Sequence, residues 1–499
     1  MTTLVDRSWS GEGEARTAEE PVLSRREQRA GGRYPGQVEV YPRRVDGRFR
    51  RIKWAVLWLL LGIYYLVPWL RWDRGPGLPD QAVLFDIPGR RFYFFALEIW
   101  PQEIYFLTGL LVLASLGLFL VTSLFGRIWC GYACPQTVWT DLFMWVERLI
   151  EGDRRDRIRL DAQPLTAAKA VKKGLKHAVW LVIAMLTGGA LVMYFNDAPT
   201  VVRQLATGTA GPVVYLFFGV FTATTYLLAG WARELVCTSM CPWPRIQGGL
   251  LDQDSLAVTY RDWRGEPRGP HKKGAGWEGR GDCVACRQCV AVCPTGVDIR
   301  DGMQLDCIGC GLCIDACNEV MDKVGRPREL IAWDSARNQL LRAQGRLPVW
   351  RLLRPRTLIY GGLFAGVGTL MLVMLVLRGT TGVDVLHDSA PLFVRLADGS
   401  IRNGYSLKIS NRAHDTRHYT VALAGDWPGA AYRLASASSD SEAPPTVSAE
   451  RATVTTVRLY VSLPPTLLEG SSTPVTFVLQ DRESGDRVQA DSIFRGPGR

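Results

Sequence analysis

The sequence predicts a chain in three parts: an α-helical membrane bundle, a cysteine-rich domain inserted into it, and a C-terminal β-sandwich. Three observations predict this. Five apolar runs, near 54–70, 104–122, 178–195, 212–230 and 356–377, are long enough to cross a bilayer, which takes roughly 17–25 residues. All 12 cysteines lie between Cys130 and Cys317. After Leu377, short runs such as "YSLKISN", "HYTVALAG", "TVTTVRLYVSLP" and "TPVTFVLQD" alternate apolar and polar residues between turn residues. That period of two is the mark of strands with one buried face.

The membrane bundle comes first. Trp54, Trp58, Trp69 and Trp72 frame the first run as an interfacial aromatic belt would. The net charge of +11 fits either nucleic acid or a membrane surface, and its distribution decides between them. Lys and Arg number 12 in residues 1–53, 4 in 71–103, 10 in 123–177, 1 in 196–211 and 18 in 231–355. Basic segments therefore alternate with poor ones, the positive-inside pattern of an N-terminus in the cytoplasm. A bacterial inner-membrane protein is expected, with the lipid bilayer as partner and no nucleic acid. Its inserted domain lies in the cytoplasm and its C-terminal domain in the periplasm.

The boundaries follow. Residues 1–50 are polar and basic, and are expected to be disordered. The membrane domain spans 51–250. In 135–152, Val138, Leu142, Trp145 or Val146, and Leu149 recur at helical spacing behind Pro135, which suits a first helical turn. This amphipathic helix lies on the membrane face or packs against the bundle. Residues 255–282 are rich in Gly, Pro and basic residues, and read as a flexible connection. Residues 283–330 hold the cysteine-rich domain, 356–377 the last crossing, and 384–499 a sandwich of about seven strands without cysteine. His414 and His418 in it read as solvent-facing residues.

The cysteines carry the chemistry. In a reducing compartment they favour metal or redox roles over disulfides. Eight form "CVACRQCVAVCP" and "CIGCGLCIDACN", each C-x2-C-x2-C-x3-C, the spacing of a bacterial two-cluster ferredoxin. Three thiolates of a tight loop reach one cubane, and the fourth ligates the other. So Cys283, Cys286, Cys289 and Cys317 are expected to hold one 4Fe–4S cluster, and Cys307, Cys310, Cys313 and Cys293 the other. A zinc site would need pairs of cysteines with a longer spacer. Asn318 stands where the first run has Pro294, without removing a ligand.

The other four, Cys130/Cys134 in "WCGYACPQTVW" and Cys237/Cys241 in "CTSMCPWP", form a repeat. Each pair is C-x3-C-P and follows an apolar run. Residues i and i+4 share a helix face, and the following proline biases the second cysteine away from helix. Two such units would gather four thiolates at the membrane edge. Soft thiolates select Cu(I), zinc or an iron–sulfur cluster; buried unpaired thiols are the plain alternative.

Together with "PWLRWDRG", "QAVLFDIPGRRFYFF", "WPQE" and "CTSMCPWPRIQGG", these motifs resemble the cytochrome c oxidase accessory proteins, the CcoG/FixG/RdxA family, from about residue 40 onward. The resemblance implies an immunoglobulin-like C-terminal sandwich. It also implies an oxidoreductase that turns Cu(II) into Cu(I) for assembly of a cbb-type cytochrome c oxidase, with assembly factors or a copper chaperone as partners. By that analogy Cys130, Cys134, Cys237 and Cys241 form the copper site, fed with electrons by two 4Fe–4S clusters. The chain has no nucleotide-binding glycine fingerprint, so a partner protein or a quinol is expected to supply the electrons. Two rivals stand beside this reading: a quinol-linked electron-transfer subunit without copper, and a redox-sensing assembly scaffold.

Overall fold

Among the described residues, five helices are long and apolar enough to cross a membrane: Arg48–Trp69, Pro101–Phe125, Ala167–Met193, Pro212–Met240 and Pro355–Val376. The computed structural model describes residues 40–497 except Pro76, Lys272, Lys273, Ala275, His414, Ser438 and Glu469. The third helix starts well before the expected residue 178. Its first turns carry Lys173 and Lys176, which find carboxylates: Lys173 reaches Asp161 at 2.7 Å, and Lys176 reaches Glu151 at 3.0 Å. Most of the expected disordered segment lies outside the described residues. From residue 40 onward that expectation gives way. Val40 and Val45 are buried, and the Arg43 N–H donates to the Ala291 carbonyl at 2.7 Å.

We label the main helices α1 (Arg48–Leu66), α2 (Ile104–Phe125), α3 (Pro135–Glu151), α4 (Ala167–Met193), α5 (Pro212–Thr225), α6 (Leu312–Val324) and α7 (Pro355–Val376). The spans alternate in direction, and one pole carries the cysteine-rich segment. At the start of α1, the Arg50 N–H donates to Asp315 at 2.8 Å. Just past the end of α2, Arg127 donates to the Cys307 carbonyl at 3.1 Å. Before α7, Arg354 donates to the Ser123 carbonyl at 2.8 Å. The three basic segments read from the sequence thus meet at one end of the helices. At the other end of α4, the antiparallel meander β1 (Val83–Asp86), β2 (Arg91–Phe94), β3 (Leu97–Ile99) bonds to the Tyr194 carbonyl through Phe85 at 2.8 Å.

Helix α3 packs into the bundle. Val138 and Leu142 join Leu57 and Leu61, while Phe143 and Val146 join Trp180 and Ala184. Its buried acids are all paired, as burial of a charge requires. Asp141 binds Arg50 at 2.8 Å, and Glu147 binds Arg233 at 2.8 Å and Arg157 at 3.1 Å.

Residues 255–282 are not simply a flexible connection. Leu256–Tyr260 forms β4, antiparallel to β5 (Ile331–Ser335), with Val258 opposite Trp333. The alternation of "LAVTY" suits a strand, and Val258 enters the core around Cys289 and Ile314. Buried Asp282 then anchors Arg264 at 2.6 Å. The Gly- and Pro-rich composition had masked both features.

Residues 372–499 form a separate unit, and its strands build a β-sandwich. One sheet runs β10-β12-β8-β6, with β7 also on β8; the other runs β11-β9-β13-β14. These are β6 (Thr381–His387), β7 (Val394–Arg395), β8 (Ile401–Asn411), β9 (Arg417–Leu423), β10 (Ala431–Leu434), β11 (Thr446–Ala449), β12 (Thr453–Leu463), β13 (Ser472–Asp481) and β14 (Arg487–Arg495). Alternate residues such as Tyr405, Leu407, Tyr419, Val421, Leu459, Val461, Phe477 and Leu479 fill the core. The strands exceed the expected seven because β7, β10 and β11 are too short to display a period. His418 is exposed; His414 lies outside the described residues.

Candidate iron–sulfur and membrane-edge thiol sites

Two small cavities sit inside the cysteine-rich segment. One is lined by Cys283, Cys286, Cys289 and Cys317, with Tyr260, Arg300 and Ile331 among the other walls. The second is lined by Cys289, Cys293, Cys307, Cys310 and Cys313, with Val258, Val297 and Ile299 around them. The first cavity draws three cysteines from the first run and one from the second; the other draws three from the second run and both Cys289 and Cys293 from the first.

The two loops share a backbone shape. Ala285 and Arg287 have φ of 52° and 52°, and Gly309 and Gly311 at the matching offsets have 66° and 72°. Left-handed residues on either side of the middle cysteine turn the chain sharply enough to aim three thiols inward. Glycine takes this conformation freely, whereas Ala and Arg take it at a cost. From Cys313 the chain enters α6, which brings Cys317 across to the first cavity.

Burial dominates the electrostatics. It pushes the Cys317 thiol up to about 12 and the Cys307 thiol likewise to about 12, the latter helped by neighbouring Cys293. Cys289 and Cys313 are raised as well, again by burial first. Thiols so placed ionise only when a cation takes the charge, as a coordinating metal does. Among the described residues no three Cys, His, Asp or Glu side chains converge as the ligands of a single ion would. Thiolates around a cubane stand farther apart than that, each reaching a different iron. The all-sulfur donor set, the enclosed apolar walls and the tight loops therefore fit 4Fe–4S clusters.

The membrane-edge cysteines are brought together. Cys130, Cys134, Cys237 and Cys241 line one cavity of about 200 Å³, with Trp129, Trp243, Leu118, Val236 and Gln136. Neither pair sits on a regular α-helix. The Cys134 N–H donates to the Trp129 carbonyl at 2.9 Å, and the Cys241 N–H to the Val236 carbonyl at 2.8 Å. These five-residue-back bonds widen both turns into π-turns, a local device common at functional sites. Pro135 then opens α3 and Pro242 precedes Trp243–Leu250. Burial, then the nearby Cys134, pushes the Cys130 thiol up to about 12. Its Sγ donates to the Gln247 Oε1 at 3.3 Å, and fully buried Gln247 donates onward to Thr122 at 3.3 Å.

Cys307 lines the second cluster cavity and the membrane-edge cavity alike. Cys289 lines both cluster cavities. The three chambers thus form a row, each joined to the next through one shared cysteine.

Arg127 fastens the junction. Its guanidinium donates to the carbonyls of Leu305, of Cys307 at 3.1 Å and of Pro244 at 2.7 Å. One side chain ties the first cysteine pair, the second pair and the cluster loop. Burial depresses its pKa, opposed by Cys307, Cys130 and Asp306 nearby. Tyr132 adds a bond from its hydroxyl to the Cys310 carbonyl at 2.9 Å. Sequence reasoning missed Arg127, Tyr132 and Gln247. A lone arginine at the end of an apolar run, three residues before a C-x3-C-P pair, was the available signal.

Family models match three stretches. A 4Fe-4S binding domain covers residues 107–152, a 4Fe-4S dicluster domain covers 232–336, and the IG-like fold at the C-terminal of FixG covers 371–497. The chain is 48% identical over 493 residues to the nitrogen fixation protein FixG of Rhizobium meliloti, covering 93% of this chain and 94% of the relative. It is 53% identical over 395 residues to protein RdxA of Cereibacter sphaeroides, covering 79% and 83%. Protein RdxB of the same organism is 48% identical over 469 residues, covering 93% and 98%. With five apolar spans, two iron–sulfur domains and the C-terminal sandwich in place, the chain belongs to the FixG/RdxA family of membrane iron–sulfur electron-transfer proteins.

Proposed function

We propose that this protein is a cupric reductase, converting Cu(II) to Cu(I) for assembly of a cbb-type cytochrome c oxidase. The observation that carries the reading is the double placement of Cys307, in the wall of a cluster cavity and in the wall of the membrane-edge cavity. When bound, the two 4Fe–4S clusters supply single electrons. Cys283, Cys286, Cys289 and Cys317 would hold one, and Cys293, Cys307, Cys310 and Cys313 the other. Cys289 and Cys307 each border two successive chambers, which suits them to link the groups these chambers would hold.

Cu(II) in the membrane-edge cavity gains one electron and becomes Cu(I). Soft thiolates from Cys130, Cys134, Cys237 and Cys241 bind Cu(I) in preference to Cu(II), which favours the transfer. The four thiols line a roomy cavity without closing on one point. That suits a cargo that enters, is reduced and leaves; a structural metal site is closed. The basic segments gathered at this pole support its placement in the cytoplasm. A copper chaperone or oxidase assembly factor would receive the ion, and a partner protein or a quinol would supply the electrons.

A second reading has one observation in its favour. The 4Fe-4S binding model over 107–152 matches a stretch whose only cysteines are Cys130 and Cys134. Under that reading the membrane-edge cavity holds a further cluster and the protein carries electrons without copper. Anaerobic purification with iron counting, followed by a stopped Cu(II) reduction assay, separates the two. About eight irons per chain, with Cu(II) reduction abolished in Cys130→Ala/Cys134→Ala at unchanged iron, supports the reductase. About twelve irons, falling in that variant, supports the further cluster and overturns the copper site.

A further inference from the structure

A cavity of about 440 Å³, roomier than the three chambers above, opens beside α1 and α3 and is lined by no cysteine. Its walls include Arg44, Arg50, Trp54, Trp145, Arg148 and Asp153. The charges in it are mostly spent. Arg50 grips both oxygens of Asp141, at 2.9 and 2.8 Å, and lies 4.4 Å over the Trp54 ring. Asp153 accepts the Arg44 N–H at 2.9 Å, and the Arg44 side chain pairs with Asp46 at 3.5 Å.

Arg148 is different. Its guanidinium makes no hydrogen bond or ion pair among the described residues, although it is half-buried. Burial, and then the adjacent Arg50, push it down to about 10. Asp141 and Asp153 oppose that shift without bonding to the guanidinium, and a half-buried cation with no hydrogen-bonded partner favours an anion beside it. The five donors of a guanidinium fork match a phosphate oxygen pair. The mouth is apolar: Trp145 is 40% exposed and Leu149 71% exposed. On α1, Trp58 and Leu59 are exposed as well. A chamber whose one arginine without a hydrogen bond or ion pair among the described residues is rimmed by tryptophan and leucine, at the end of a membrane span, has the layout of an interfacial lipid site.

We infer that this cavity binds the phosphodiester headgroup of an anionic phospholipid, with Arg148 holding the phosphate and Trp145 and Leu149 receiving the acyl chains. The proposal is independent of the copper reading, because it uses none of the cysteines. The test is native mass spectrometry of the full-length protein in detergent, titrated with phosphatidylglycerol, phosphatidylcholine or inorganic phosphate. Phosphatidylglycerol is expected to be retained over phosphatidylcholine. Arg148→Gln should weaken that retention about tenfold, the loss of one charge-assisted contact, with iron content unchanged. Arg148→Lys, which keeps the charge and loses the fork, should fall between. Trp145→Ala should weaken the lipid and leave inorganic phosphate unaffected. Equal retention of the two lipids overturns the proposal, as does wild-type retention in both Arg148 variants. Displacement of the lipid by inorganic phosphate at equal concentration would mark a free-phosphate site and overturn the lipid assignment.

Discussion

Gly131 lies so close to Cys310 that a β-carbon on it would stand 3.0 Å from the Cys310 Cα and 3.0 Å from the Gly309 and Ile308 carbonyl oxygens. The glycine inside the first C-x3-C-P turn is thus the surface on which the cluster loop rests. The atoms it meets are backbone and cannot swing aside. Gly131→Ala should push the loop away at a cost of about 1–3 kcal/mol. Iron content should stay near wild type, while the proposed Cu(II) reduction slows severalfold. A wild-type rate in this variant would show that the contact does not set the electron path.

Arg127 should be the most sensitive position outside the cysteines. Arg127→Met strands the carbonyls of Leu305, Cys307 and Pro244. Each buried group left unpaired costs about 1–3 kcal/mol. The expected result is cluster bleaching at lower urea than in wild type, read from visible absorbance. Arg127→Lys should recover only part of the loss, because an ammonium cannot span three carbonyls as a planar fork does.

The matched loop positions predict opposite outcomes. Ala285→Gly relieves left-handed strain and should stabilise the first loop by up to about 1 kcal/mol. Gly311→Ala adds a β-carbon 2.8 Å from the Phe49 ring, besides its φ of 72°. It should therefore lower cluster occupancy. Iron counts after mild urea treatment compare the variants directly.

In the sandwich, Asp481 accepts N–H bonds from Glu483 at 2.8 Å and Ser484 at 3.2 Å, and pairs with Arg417 at 2.8 Å. Burial opposes its charge, but these donors hold the carboxyl down at about 2. A folded-state pKa below the unfolded value gives stability that is complete above the ordinary carboxylate range. That stability is lost as pH falls from about 4 toward 2. Urea unfolding of a 380–499 fragment, followed through Trp427, should weaken across that window. Asp481→Asn should start lower and flatten the profile.

Glu147 links Arg233, which precedes the second cysteine pair, to α3, which follows the first. Glu147→Gln should leave Arg233 and Arg157 short of a buried counter-charge, a change of about 3–5 kcal/mol. Thermal loss of the visible cluster spectrum should shift to lower temperature. Arg233→Met in the same background should add little, because the pair is already broken.

The sequence alone determined the parts. Apolar run length picked out the spans, alternation picked out the long strands β8, β12 and β13, and cysteine spacing picked out the ferredoxin-like insert. These signals are local, since each rests on how one segment meets lipid, a sheet face or a cubane. The tertiary structure decided how the parts meet. Gly131 against Cys310, Arg127 among three carbonyls and β4 against β5 join residues far apart in the chain, and no period or spacing encodes such a contact. The π-turns at Cys134 and Cys241 were likewise hidden, because C-x3-C fits an ordinary helix as well as a widened one. Packing alone placed Cys307 on the wall between two chambers, where the backbone of α2, the cluster loop and the second cysteine turn converge.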